Sequence, residues 1–137
     1  MKFAYSKFEI GNGKNIYRPL VRILFRNGKN FILTKGIIDS GADYNILPIE
    51  TASALGITLD LKTKKIFTGA GKNTFNVYPS KIKISYILDQ NGFRSIKWDA
   101  EVYFAESQRK ISLGYHGFVD NFQILFDGLK KEVEVTT

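Results

Sequence analysis

The sequence contains no cysteine. Disulfide frameworks, thiolate metal sites and a cysteine nucleophile are thereby excluded. Histidine is almost as scarce. The single one, His116, cannot build a multi-histidine metal site, and any Ser-His-Asp triad would rest on it alone. No apolar run approaches the ~18 residues of a membrane-spanning helix. The start, "MKFAYSKFEIGNGK", places Lys7 and Glu9 where a signal peptide needs its apolar segment. A soluble, intracellular protein with a cytoplasmic location is the expectation. Internal repeats, linkers and low-complexity tracts are also missing. The 137 residues therefore read as one domain, 1–137, long enough to bury a core without covalent staples. Acidic residues are outnumbered: 20 Lys and Arg stand against 13 Asp and Glu, a net charge of +7. That excess suits nucleic acid or an acidic substrate. The basic residues are dispersed, however, and the densest cluster, "LKTKK" at 61–65, is short. A solvated basic surface accounts for it.

What is present is alternation. "IYRPLVRILF" (16–25) sets Leu20, Arg22 and Leu24 against Val21, Ile23 and Phe25, and "RNGKN" supplies a hairpin turn with Asn27-Gly28. "FILTKGII" (31–38) returns and runs straight into Asp39. "KIKISYIL" (81–88) alternates Ile82, Ile84 and Tyr86 with Lys81, Lys83 and Ser85. After the turn "DQNGF", "SIKWDAEVYFA" (95–105) reads as its partner, and "EVEV" (132–135) as a short last strand. Two segments break the period of two. "PIETASALG" (48–56) has Pro at its start, Gly after its end, and Ile49, Ala52 and Leu55 on one helical face. "GFVDNFQI" (117–124) places Phe118, Val119 and Phe122 on one side of a short helical turn. The pattern predicts a mostly-β domain with two short helices, closed or partly closed as a barrel.

One stretch resists a purely structural reading. In "IIDSGADYNILP" (37–48) a carboxylate, Asp39, ends a strand that reads as buried. Asp, Ser and Gly all favour turns for backbone reasons. A carboxylate kept at the edge of a core is also where chemistry would put one.

The segment "DSGADYNILP", with "II" before it, resembles the active-site segment of the retroviral-type (retropepsin-like) aspartic proteases. Two further segments fit that family in order. "KIFTGAGKNTFNVYPSKI" (65–82) carries Gly69-Ala70-Gly71 between apolar-containing arms, like the family's flap hairpin. "ISLGYHGFVDNFQILFD" (111–127) carries Leu113-Gly114 before a short helix and a strand, as the family does near its end. The resemblance covers roughly residues 17–127. It implies a single-domain closed β-barrel of the acid-protease type with one or two short helices.

The resemblance also implies a chemistry. Peptide hydrolysis without metal or other cofactor needs a base to activate water and an acid to protonate the carbonyl oxygen and the leaving nitrogen. Two carboxylates sharing one proton do both. The chain holds one Asp-Ser-Gly and no second Asp-Ser/Thr-Gly, since Asp127-Gly128 lacks the hydroxyl residue. The second carboxylate is therefore expected from Asp39 of another copy, in a homodimer with a two-fold axis. In that scheme Ser40 bonds across the axis and Gly41 leaves room beside the carboxylates. Ala42 and Asp43 line the cleft against a peptide or protein substrate, and Gly69, Ala70 and Gly71 let the flap tip bend over it.

The sequence departs from the family in three places. Ser40 stands where retroviral enzymes usually have Thr, with the hydroxyl kept. Tyr115 stands where they carry an Arg that pairs with the acid matching Asp43, so that pairing is absent or made by another base. An extra N-terminal strand-like segment and a longer tail set aside the retroviral mode of dimerisation by terminal strands. Two other readings fit the residues. One is a dimeric module of the same fold that binds peptide without cutting it. The other is a basic β-barrel binding single-stranded nucleic acid through some of its 11 Phe and 7 Tyr. It is the weaker one, because most of those aromatics fall on alternating strands, where burial explains them.

Overall fold

The computed structural model describes residues 1–137. The first half of the chain forms β1 (Lys2–Ala4), β2 (Ser6–Glu9), β3 (Asn15–Arg18), β4 (Leu20–Asn27), β5 (Asn30–Ile38), β6 (Ile46–Pro48) and helix α1 (Thr51–Ala54). The second forms β7 (Lys65–Thr68), β8 (Thr74–Pro79), β9 (Ile84–Leu88), β10 (Ile96–Ala100), β11 (Tyr103–Ala105), β12 (Ile111–Leu113), β13 (Gln123–Asp127) and β14 (Glu132–Thr136). Single 3₁₀ turns lie at Leu61–Thr63, Ala70–Lys72 and Val119–Asn121.

Nine strands make one sheet in the order β10-β9-β4-β5-β12-β6-β11-β8-β7; β1-β14-β13 form a second sheet and β2-β3 a separate hairpin. The protein is mostly β, as the alternation implies. The sheet is not a closed barrel, however: β10 and β7 each have one neighbour and do not pair with each other. The reason lies in the run 95–105, which the sequence suggests is one strand. It pairs with β9 only as far as Ala100. The chain then breaks at Glu101-Val102, and β11 joins β6 and β8 on the far side of the sheet. The run thus folds the sheet over its core without zipping the two edges together.

The inward faces follow the period of two. Val21, Ile23 and Phe25 of β4 are fully buried, with Arg22 exposed between them. Ile84, Tyr86 and Leu88 line β9, whereas Ile82 precedes that strand and is exposed. The core runs from Met1 and Phe3 to Val133 and Val135, which joins the terminal sheet to the large one. The β4–β5 hairpin forms as its turn chemistry dictates, with Gly28 at φ 60° in the left-handed region that glycine enters without steric penalty.

Both helices are shorter than the sequence suggests. Pro48 belongs to β6, because parallel pairing with β11 sets it opposite Ala105 and the Ile49 N–H donates to the Ala105 carbonyl at 3.0 Å. One turn of helix is left, and Ala52 and Leu55 still bury the predicted face. Likewise 117–124 holds only the 119–121 turn. Phe118 is fully buried, but from Gln123 onward the chain is drawn into β13 by pairing with β14.

Candidate active site

The ladder around β12 sets the site. Strands β5 and β6 follow each other in sequence, yet β12 lies between them, parallel to β5 and touching β6 through Ser112 and Ile46. Gly36 permits that insertion, since a Cβ there would stand 2.8 Å from the Leu113 side chain and 3.2 Å from Ile111. The loop from Asp39 to Asn45 must therefore cross the end of β12. It does so over Gly114, where an added Cβ would meet the Ala42 carbonyl oxygen at 2.7 Å and the Tyr44 backbone closer still. Only glycine fits at that crossing.

Backbone bonds fix the loop at both rims. The Asp39 N–H donates to the Leu113 carbonyl at 3.0 Å, the Tyr115 N–H to Ala42 at 2.7 Å and the His116 N–H to Asp43 at 2.8 Å. Asp39 Oδ1 accepts from the Gly41 N–H at 3.0 Å, which closes a tight Asx turn, and the Ala42 N–H donates to the Asp39 carbonyl at 3.1 Å. A Cβ on Gly41 would lie 3.3 Å from Asp39 Oδ1, so glycine keeps space beside the carboxylate.

Ile38 is 5% exposed but Asp39 itself is open to solvent. The burial penalty that the sequence implies for this carboxylate is not incurred within one chain. The strand ends where the core ends, and the side chain emerges into a cleft.

That cleft has a volume of about 840 Å³. Asp39, Gly41, Ala42 and Asp43 line one wall, and Gly69 and Ala70 of the β7–β8 hairpin line the other. Two of the candidate residues are not in its wall. Ser40 sits on the exposed outer side of the turn, and Gly71, at φ 70°, shapes the hairpin tip without facing the cavity. Asp43 is exposed, and its contact with 114–118 runs through its backbone carbonyl.

Several residues of the site are not apparent from the sequence. Tyr44 stacks on Phe67 of the hairpin and packs edge-on against Tyr103 at 5.0 Å. The bases of the hairpin are clasped by Lys81 Nζ and Asp60 Oδ2 at 2.7 Å. Asp60 also accepts from the Lys62 N–H at 3.0 Å. The Lys81 ammonium, and after it that backbone donor, hold the Asp60 carboxyl below the usual carboxylate range. Asn45, only 1% exposed, anchors the crossing: its Oδ1 accepts from the Gly114 N–H at 2.9 Å and its Nδ2 donates to the Tyr86 hydroxyl at 3.2 Å. That hydroxyl donates in turn to the Glu101 carbonyl at 3.0 Å. Burial pushes the Tyr86 phenol far above its ordinary range, so it stays neutral; the bond from Asn45 opposes this weakly. One signal is present in the sequence. A tyrosine on the buried face of an alternating strand needs a partner for its hydroxyl.

This architecture is the retropepsin-like aspartic protease fold. A crystal structure of a retropepsin-like aspartic protease from Rickettsia conorii matches 99% of this chain and 98% of its own at a TM-score of 0.62, with 17% identity. The retroviral protease-like domain of Ddi1 from Leishmania major matches 87% of this chain and 95% of its own at a TM-score of 0.53, with 15% identity. No protein-family model and no curated protein sequence matches the chain. No helix is long and apolar enough to cross a membrane.

Proposed function

We propose that the protein is an aspartic endopeptidase that acts as a homodimer. The observation that carries this reading is the position of Asp39, exposed in a cleft of about 840 Å³ at the end of β5 with a glycine-tipped hairpin as the opposite wall. Two Asp39 carboxylates, one from each copy, face each other across the two-fold axis. Like charges that close cannot both ionise, so the pair holds one proton between them. The ionised member takes a proton from water as it attacks the scissile carbonyl. The protonated member gives its proton to the carbonyl oxygen, and the leaving nitrogen is protonated as the intermediate collapses.

The neighbours support this pair. Ser40, on the outer side of the turn, bonds across the axis and locks the two loops. Gly41 keeps the carboxylates accessible, and Ala42 and Asp43 hold the substrate backbone. The β7–β8 hairpin is the flap. Its tip, Gly69 to Gly71, bends over the bound peptide and excludes water.

Turnover of a mixed fluorogenic peptide library between about pH 3 and pH 7, alongside sedimentation at micromolar protein, tests the reading. Cleavage by a dimer is expected. A strict monomer that cleaves would sink the shared site, and a dimer that binds peptide without cutting it would make the protein a non-catalytic module of the same fold.

A further inference from the structure

The amide between Leu113 and Gly114 is held on both sides. Its carbonyl accepts from the Asp39 N–H at 3.0 Å, and its N–H donates to Asn45 Oδ1 at 2.9 Å. One rigid peptide plane therefore joins the backbone of the candidate catalytic residue to a buried side chain. Asn45 is in turn fixed by the Tyr86 hydroxyl, which donates to the Glu101 carbonyl, so the chain of bonds ends on main chain next to β10. Every member from Gly114 to Tyr86 is buried, and every member is partnered. Phe25 packs edge-on against the Tyr86 ring at 4.8 Å and Trp98 lies 5.4 Å away on the other side, so the phenol has little freedom to turn.

We propose that Asn45 and Tyr86 are the positioning residues of the Asp39 site. They set the Leu113–Gly114 amide, and through it the direction in which Asp39 leaves β5. This rests on the endopeptidase reading for its kinetic consequences, though not for its structural ones. The brace uses no ion pair. Where an Arg-carboxylate brace would loosen on protonation of the acid, an amide and a neutral phenol do not titrate in the acid range. The loop keeps its geometry where a shared-proton carboxylate pair has to work. The brace also releases the Asp43 carboxylate from structural duty and leaves it in the cleft wall.

Three groups of variants test this. Tyr86→Phe keeps the ring but removes the hydroxyl, stranding Asn45 Nδ2 and the Glu101 carbonyl. Asn45→Ala removes the link to Gly114. Ile23→Ala, in the core on β4, is the control for plain loss of stability. The expected kcat loss in Tyr86→Phe and in Asn45→Ala is about 10- to 100-fold, the scale of a misplacement near 1 Å. KM should change less than kcat, because the opposite wall with Gly69 and Ala70 is untouched. The double variant should lose no more than the worse single, as members of one chain of bonds do. Ile23→Ala should lower the melting temperature without that kcat loss.

Amide hydrogen exchange read at Asp39 and Gly114 gives the answer independently of turnover. It should speed up in both brace variants and remain as in wild type in Ile23→Ala below its melting range. Unchanged exchange at those two amides in Tyr86→Phe overturns the proposal, as does a kcat loss that follows stability equally in all three. Retained turnover in Asp39→Asn would overturn the endopeptidase reading instead, while leaving the exchange result standing.

Discussion

Tyr44 and Phe67 stack with ring centroids 5.4 Å apart and planes inclined by 24°, joining the loop that carries Asp39 to the hairpin on the other side of the cleft. Tyr44 is one residue beyond Asp43, and Phe67 lies in β7, two residues before Gly69. The stack holds the hairpin against the loop. Phe67 also leans on Tyr103 at 4.9 Å and Phe75 at 6.2 Å, so the aromatic cluster spans β7, β8 and β11.

Phe67→Ala should therefore loosen the hairpin more than the core. An aromatic pair is worth about 0.5–1.5 kcal/mol beyond the area it buries. If that energy favours the closed hairpin, kcat/KM for a peptide should fall by about 3- to 10-fold. Steady-state kinetics with a fluorogenic peptide would check it. Unchanged kcat/KM would mean that the hairpin closes without this stack.

Asp39→Asn keeps the Oδ1 acceptor for the Gly41 N–H, so the Asx turn should survive and circular dichroism should match wild type. On the proposed shared site, activity should drop to background, because both carboxylates would vanish together. Wild-type activity should be bell-shaped in pH, its limbs belonging to the coupled pair rather than to either residue. A mixed dimer of one wild-type chain and one Asp39→Asn chain should also be inactive, which separates a shared site from two independent ones.

Two glycines should respond differently to substitution. Gly114→Ala forces a Cβ against the backbone of Ala42 and Tyr44, which cannot swing aside. A loss of about 3 kcal/mol or more in chemical denaturation is expected. A Cβ added at Gly71 meets only Asn73 Nδ2 at 3.9 Å, so the main penalty of Gly71→Val is conformational, from a φ of 70°. About 1–2 kcal/mol is expected there. Cleavage should suffer more than stability if this tip bends over substrate, and equal activity would mean that it does not.

The Asp60–Lys81 clasp predicts an acid-side effect with a definite sign. The folded carboxyl titrates below its unfolded value. Its contribution is thus complete above the unfolded value, about 4, and is lost as the pH falls through that value toward the folded one. Asp60→Asn should melt earlier than wild type near about pH 6 and approach it as the pH drops toward about 2. Both partners are exposed, so the difference should be small and shrink with added salt. A difference that grew toward low pH would contradict the clasp.

Much of this was legible in the residues themselves. The inward face of β4 and the β4–β5 hairpin follow from side-chain alternation and from the conformational freedom of Gly28, which act over a few neighbouring residues. The resemblance of "DSGADYNILP" placed Asp39, Gly41, Ala42 and Asp43 in one loop, and the structure puts Gly69 and Ala70 opposite them in the same cleft. What the alternation left open was which strand lies beside which. The insertion of β12 between β5 and β6 joins positions about 70 residues apart, and no local pattern encodes it. The same insertion gives Gly36 and Gly114 their necessity, since each is tight only against a distant segment. It also makes Asn45, one polar residue in an apolar run, the partner of Gly114. Pairing with β11 and with β14 shortened the two helices, because sheet hydrogen bonds claimed the residues at their ends. Whether the run 95–105 would close a barrel was likewise settled by the break at Glu101-Val102. Local chemistry determines turns, faces and the Asp39 loop, whereas long-range pairing decides how that loop is held.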